Sequence, residues 1–310
     1  MKRWVLKAIV QKSISYLPLS NKINYFFQKY VTKGLALSDE YFFDRLEHAR
    51  NHIRSYQQFA HNAAPLASLE IGTGWYPIVP IALFLIGCER IFSLDISLHT
   101  SKKLLQATLK KFLDYSKDGK LNYYLDFQPE RLEILSHLLN SSDDLHLNEL
   151  LKRLNITYLI GDARSIALPD NSVDLVNSNN TFEHIYPEIL SSILKEFRRV
   201  VKKHGGVMSH FIDMSDHFAH FDKSISIYNF LRFSDRQWKW IDNSIQPQNR
   251  LRIDDYMKMY AELDIPISEL RCRQGNVELL KTLPLAERFQ SKSLEETAKS
   301  HCHIVSFMDN

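Results

Sequence analysis

Leu66-Ala-Ser-Leu-Glu-Ile-Gly-Thr-Gly74 is the stretch on which the fold turns. Its first six residues are a short apolar run carrying one carboxylate, Glu70, near its end, and two glycines follow. This predicts a buried strand running into a tight turn. A strand covered on both faces reads as a continuous apolar run, and a sharp turn favours residues without a Cβ. Pro77 suits the first turn of a helix, where its missing N–H costs nothing, and residues 78–87 supply the body.

The alternation continues along the chain. Residues 90–95, 156–162, 173–177, 207–213, 269–274 and 303–308 read as further strands. Helices are predicted over 101–113, 187–201 and 254–263, and His204-Gly205-Gly206 reads as a glycine cap closing the second of these. The fold class that follows is α/β, a doubly wound and mostly parallel seven-stranded sheet. Residues 114–150 hold eight acidic and three basic side chains among scattered leucines, and read as a helical insertion between the second and third strands. Residues 214–250, rich in aromatics, read as a substrate lid or insert. Residues 1–62 read as a helical N-terminal extension broken at Pro18 and Gly34, with Ser38 capping a helix over 39–59. Residues 63–310 then form the main domain.

The chain has 310 residues, 45% hydrophobic and 24% charged, which excludes a disordered chain, a collagen-like rod or a disulfide scaffold. The 39 basic and 36 acidic residues are unevenly placed. Residues 1–37 hold seven basic residues and no acidic one; the other 273 hold 32 and 36. The main domain is therefore acidic, which argues against a nucleic-acid track. Val5, Ile9, Ile14 and Leu17 fall roughly on one face of a first helix with Lys2, Arg3, Lys7 and Lys12 around the rest. That helix fits docking on the domain, or peripheral contact with a membrane surface through its basic face. Three well-separated cysteines, Cys88, Cys272 and Cys302, fit free buried thiols in a reducing compartment, and no spacing suggests a metal site. No leader or membrane span is evident, so a cytoplasmic location is expected, with the basic arm available for membrane association.

Chemistry gathers at the predicted strand ends. Glu70 precedes the glycine turn, Asp95 ends the second strand 25 residues later, Gly161-Asp162-Ala163 ends the third, and Asp174 to Asn179 span the fourth. Ligands of open α/β sheets lie across the carboxyl ends of the strands. A carboxylate at Asp95 suits two ribose hydroxyls, and one at Asp162 suits an adenine amino group. A nicotinamide or flavin dinucleotide fits less well. Its turn wants a third glycine where Pro77 stands, and Glu70 repels a pyrophosphate. A cofactor with an ammonium and a sulfonium suits acidic neighbours.

Leu69-Glu-Ile-Gly-Thr-Gly74, Leu94-Asp-Ile96, Gly161-Asp-Ala163 and Leu168-Pro-Asp-Asn-Ser-Val-Asp-Leu-Val176 with Phe182-Glu-His-Ile185 resemble the class I S-adenosylmethionine-dependent methyltransferases, within the group carrying the type 11 methyltransferase domain. The resemblance runs from about residue 66 to 206. It implies a Rossmann-like methyltransferase fold with S-adenosylmethionine as cofactor. Glu70, Gly72, Thr73 and Gly74 would line its methionine part, Asp95 and Ile96 the ribose, Asp162 and Ala163 the adenine, with Asn179 near the sulfur. Many relatives have a third glycine where Tyr76 stands, so this chain has a bulkier lip.

Methyl transfer is an in-line displacement that depends mostly on alignment and exclusion of water. A base is needed only if the acceptor must lose a proton. His217, near Asp213 and Asp216 after the fifth strand, is the first candidate and His184, after the fourth, the second. Either histidine also fits a structural role. Arg232, Arg250 and Arg252 among aromatic residues fit a clasp for an anionic group on an apolar substrate, or pairing with Asp235, Asp254 and Asp255. The expected acceptor is a small molecule, lipid or glycan. The alternative is a protein that binds the cofactor or its product without turnover.

Overall fold

The computed structural model describes residues 2–16, 37–141 and 144–309. Seven strands form one sheet: β1 (Ala67–Ile71), β2 (Arg90–Asp95), β3 (Ile156–Ile160), β4 (Leu175–Asn179), β5 (His204–Asp213), β6 (Glu269–Arg273) and β7 (His301–Asp309). Their order is β3-β2-β1-β4-β5-β7-β6. β1 to β5 run parallel, and β7 lies antiparallel between β5 and β6. The seven-stranded, mostly parallel sheet expected from the sequence is the one present.

The period of two along each strand divides the core. Leu175, Val207 and Val305 face a layer built from α2 (Asp39–Ala60), α3 (Ile78–Leu85), α4 (Lys102–Lys117), α5 (Pro129–Asn140) and α6 (Leu147–Arg153). Their neighbours Val176, Met208 and Ile304 face the opposite layer, where α7 (Pro187–Val200) and a helix over Ile253–Glu262 pack. Helix α7 shows why: Leu190, Ile193, Leu194, Phe197 and Val200 recur at helical spacing and all are buried. Helix α2 begins at Ser38, whose side chain accepts from the Tyr41 N–H. It buries Phe42, Leu46, Ala49, Ile53 and Tyr56 in the main core.

Several local expectations are corrected. Helix α7 ends at Val200, and Val201 is already extended, bridged to Val173. His204-Gly205-Gly206 does not cap it. These residues open β5, where the register slips and Gly205 takes φ +80°. A Cβ on Gly206 would collide with the Lys202 carbonyl. The first helix, α1 (Arg3–Ser15), buries Trp4, Ala8, Gln11 and Ile14, whereas Leu6 and Ile9 are about half exposed. Leu17, Pro18 and Gly34 lie outside the described residues. Trp4 packs against Phe218 and Phe233, its backbone N–H donates to the Asp222 carboxylate, and Lys12 donates to the Lys239 and Asp242 carbonyls. Cys272 and Cys302 are not free. They are directly opposed across β6 and β7 and joined as a disulfide, while Cys88 is a free, buried thiol. Residues 30 apart become neighbours through strand pairing, which cysteine spacing does not reveal.

Candidate active site

The parallel strands β1 to β5 deliver their chemistry to one edge. The turn after β1 holds Gly72 at φ +72° and Gly74 at φ +69°, both in the left-handed region that favours glycine. Gly72 packs so closely on Thr181 that a Cβ would collide with its hydroxyl, whereas Gly74 has open space around it. The Gly74 N–H donates to Asp95 Oδ2 at 3.2 Å, tying the turn to the end of β2. Asp95 Oδ1 accepts from the Ile96 N–H at 2.8 Å and lies 3.5 Å from His99 Nε2.

Glu70 is buried at the centre of this edge. Its Oε2 accepts from Thr73 Oγ1 at 2.7 Å and its Oε1 from Asn179 Nδ2 at 2.9 Å. Burial pushes its carboxyl up to about 7, against the opposing pull of those two hydrogen bonds. Asn179 Oδ1 accepts from His52 Nε2 at 3.0 Å. That leaves His52 Nδ1 to accept from Ser209 Oγ at 2.7 Å, and Ser209 to accept from His303 Nε2 at 2.7 Å. Burial lowers His52 to about 4 and His303 to about 2, so both imidazoles are uncharged at neutral pH. His48, also on α2, lies 3.1 Å from the same Asn179 oxygen.

Ile96 is largely exposed on the β2 side, with Gly161 and Asp162 exposed and Ala163 half-buried beside it at the end of β3. Asp162 is held by its neighbour Arg164, whose Nε lies 3.0 Å from Oδ1 and 2.9 Å from Oδ2. The Arg164 hydrogen bond keeps this carboxyl below its ordinary range.

Across the edge, β4 and β5 present a histidine cluster. His184 Nδ1 donates to the Pro247 carbonyl at 2.8 Å, which leaves its Nε2 lone pair unprotonated, and its ring meets that of His217 edge-on at 4.8 Å. Burial lowers His184 to about 4. Asp213 ends β5 and accepts from the Ser215 N–H at 2.8 Å. Three histidine Nε2 atoms surround its carboxylate: His217 and His220 at 3.5 Å and His301 at 3.4 Å. Asp216 caps the short helix α8 (His217–Phe221) by accepting from the Phe218 N–H at 2.8 Å, and burial raises it to about 6.

The arginines do not join this cluster. Arg252 is fully buried, and its guanidinium donates to the Met214, Thr297 and Lys299 carbonyls. Arg250 is 2% exposed and donates to the Phe230 and Phe233 carbonyls and to Asp235 at 2.6 Å. Arg250 staples the 230–235 turn, Arg252 ties Met214 to the 297–299 stretch, and no clasp forms from them. Arg232 is exposed, with Asn229 Oδ1 at 3.4 Å. The sequence gives no separate signal for His48, His52, His303 or Arg164, and marks Glu183 only as part of the 182–185 motif. His48 and His52 come from α2 and His303 from β7, far apart along the chain, and only the packing of α2 and β7 against β5 unites them.

Residues 110–209 match the family model of a methyltransferase domain. The match begins inside α4 and ends within β5, so it leaves out the glycine turn. No curated protein matches the chain. Among solved structures, a Pyrococcus horikoshii OT3 protein is 14% identical, with 91% of this chain and 98% of that one covered and a TM-score of 0.50. A Haloferax volcanii protein solved in complex with the Trm112 methyltransferase activator is 15% identical, with 92% and 98% covered and a TM-score of 0.46. A phosphoethanolamine N-methyltransferase from Haemonchus contortus, solved with S-adenosyl-L-methionine, is 12% identical, with 92% and 60% covered and a TM-score of 0.46. At these identities the likeness is one of fold.

Proposed function

We propose that this chain, a class I S-adenosylmethionine-dependent methyltransferase by fold and family match, transfers a methyl group to a small-molecule, lipid or glycan acceptor by in-line displacement. The observation that carries the reading is the buried Glu70 carboxyl, satisfied by Thr73 and Asn179 and paired with no cation, at the carboxyl edge of the central strand. A buried carboxyl with a proton affinity near neutrality favours a positively charged ligand. The open surroundings of Gly74 leave room for one.

S-adenosylmethionine is the cofactor, and when bound it supplies a methyl group on a sulfonium leaving group. We assign its methionine part to Glu70, Gly72, Thr73 and Gly74, its ribose to Asp95 and Ile96, and its adenine to Asp162 and Ala163. Asn179 presents a carboxamide already oriented by Glu70 and His52, and so faces the reactive end. His217 and His184 line the acceptor side. One imidazole can receive the proton that a nucleophile sheds while the other orients it. The main domain spans 63–310, with 214–250 as the wall over the acceptor. We assign the exposed side of α1, where Leu6 and Ile9 lie near Lys2 and Arg3, to peripheral membrane contact. Among the described residues no helix is long and apolar enough to cross a membrane.

Calorimetry with S-adenosylmethionine tests the cofactor site, and transfer of a labelled methyl group to an acceptor panel tests turnover. Absence of binding at saturating cofactor would sink the reading.

A further inference from the structure

Five groups able to ligate a metal meet beyond β4 and β5. Asp213, His217 and His220 each offer one ligand atom within 4.8 Å of the others, and Glu183 and His184 do the same with His217. Two features set this cluster apart from ordinary ion pairing. First, Glu183 is buried, and neither of its carboxylate oxygens has a hydrogen-bond partner. A carboxylate buried without partners costs several kcal/mol unless something positive or donating stands beside it. Second, His217 Nε2 is also buried without a hydrogen bond, and 3.5 Å from Asp213 Oδ2 is beyond good hydrogen-bond length.

The spacing has a simple meaning. Metal–ligand bonds of about 2.0–2.2 Å put neighbouring ligand atoms roughly 3–3.5 Å apart. His217 Nε2 and His220 Nε2 each stand 3.5 Å from Asp213 Oδ2. The Asp213 oxygen therefore stands at ligand–ligand spacing from both imidazoles, and all three ligand atoms lie within 4.8 Å of one another. His220 is half exposed, which gives an ion a path from solvent. Asp213 is fixed by the Ser215 N–H and by its place at the end of β5.

We propose that Asp213, His217 and His220 bind one divalent ion of the zinc, cobalt or manganese class, and that the ion holds an oxygen of the methyl acceptor. Two imidazoles and one carboxylate select a borderline transition metal over magnesium or calcium. Three protein ligands leave at least one coordination position for an exogenous oxygen, as in catalytic rather than structural sites. Glu183 and His184 each offer a ligand atom within 4.8 Å of that of His217. The inference rests on the methyltransferase reading for its substrate class, an oxygen acceptor, but not for the ion itself. With the ion in place His217 is a ligand, and His184 is the ring left facing the acceptor.

Tag-free, full-length protein, stripped with chelator and desalted, is titrated with Co²⁺ and Zn²⁺. The expected result is one ion per chain, a visible Co²⁺ absorption band, and a rise in melting temperature with Zn²⁺. His220→Ala changes a half-exposed side chain and should fold normally, yet bind at least about tenfold more weakly and lose the Zn²⁺-dependent rise. Asp213→Asn should do the same, and its melting curve without metal reports whether it folds. Failure of stripped wild-type protein to take up either ion overturns the proposal, as does wild-type affinity in His220→Ala. S-adenosylmethionine binding is measured on the same stripped sample. If it persists while no ion binds, the metal site alone falls; if it too is absent, the cofactor reading falls independently.

Discussion

Asn179 donates through Nδ2 to the buried Glu70 carboxyl at 2.9 Å, so the last residue of β4 holds the penultimate residue of β1. The same carboxamide accepts from His52 on α2, and both ends of Asn179 are thereby oriented before any ligand arrives. Among the described residues no cation is bonded to the Glu70 carboxyl itself; Arg45 reaches the network only through His48, at 3.3 Å. The pull of the carboxyl on a proton is therefore a measure of its pull on positive charge.

Cofactor affinity should depend on pH through Glu70. Its carboxyl sits at about 7, raised by burial; Asp95 reinforces the rise, and Thr73, Asn179 and Arg45 oppose it. A cationic ligand favours the carboxylate, so below about pH 7 a proton must leave. Affinity for S-adenosylmethionine should fall by up to about tenfold per pH unit there, and level off above. The stability sign is opposite. The raised pKa contributes stability that is full below the ordinary value of 4.5 and is lost as pH rises through about 7. Glu70→Gln should flatten both profiles in calorimetry and thermal melts.

The two turn glycines should fail differently. Gly72→Ala drives a Cβ into Thr181 and also strains a left-handed backbone, so it should lower the melting temperature markedly. Thr181→Ala in the same chain should recover part of the loss. Gly74→Ala meets open space and bears only the backbone cost, about 1–2 kcal/mol. It should stay folded and bind cofactor weakly. Equal melting temperatures for the two single variants would contradict the packing described.

Asp95→Ala removes the acceptor of the Gly74 and Ile96 N–H groups. Hydrogen bonds to a charged group contribute about 1.5–3 kcal/mol, so cofactor affinity should drop roughly 10- to 100-fold with the fold retained. Calorimetry beside circular dichroism checks both halves.

Arg252→Met should act on stability. It leaves the Met214, Thr297 and Lys299 carbonyls without their donor, and breaking such a buried network costs about 3 kcal/mol or more. Denaturant midpoints should fall sharply. Arg232→Ala, on the exposed side, should stay within about 0.5 kcal/mol.

The strand–turn signals were legible because their physics is local. Residues 90–95 read as a strand and are one, since a buried parallel strand must be apolar and short. Residues 173–177 were placed two positions early, because Val173 makes an isolated bridge to Val201 and looks like strand before the strand begins. Gly205-Gly206 misled because a glycine pair after a helix usually caps it, and only the β5–β7 register shows the slip. The buried face of α1 was missed because Gln11 is polar. Its Nε2 donates to Gln246, 235 residues away, which no periodicity can show. His48 and His52 stood in a helix of mostly polar residues and gave no signal of their own. The acidic strand ends were legible, whereas the histidine network around them is a property of packing.

The seat of α1 lies late in the chain. Trp4 is fastened to Asp222, Phe218 and Phe233, more than 200 residues downstream. At a synthesis rate of about 5–20 residues per second, the tryptophan face of that helix waits on the order of tens of seconds on the ribosome before its socket exists. Helix α1 is thus made long before it can dock. A nascent chain of this protein should engage holding chaperones through this helix until residues 218–233 have been translated.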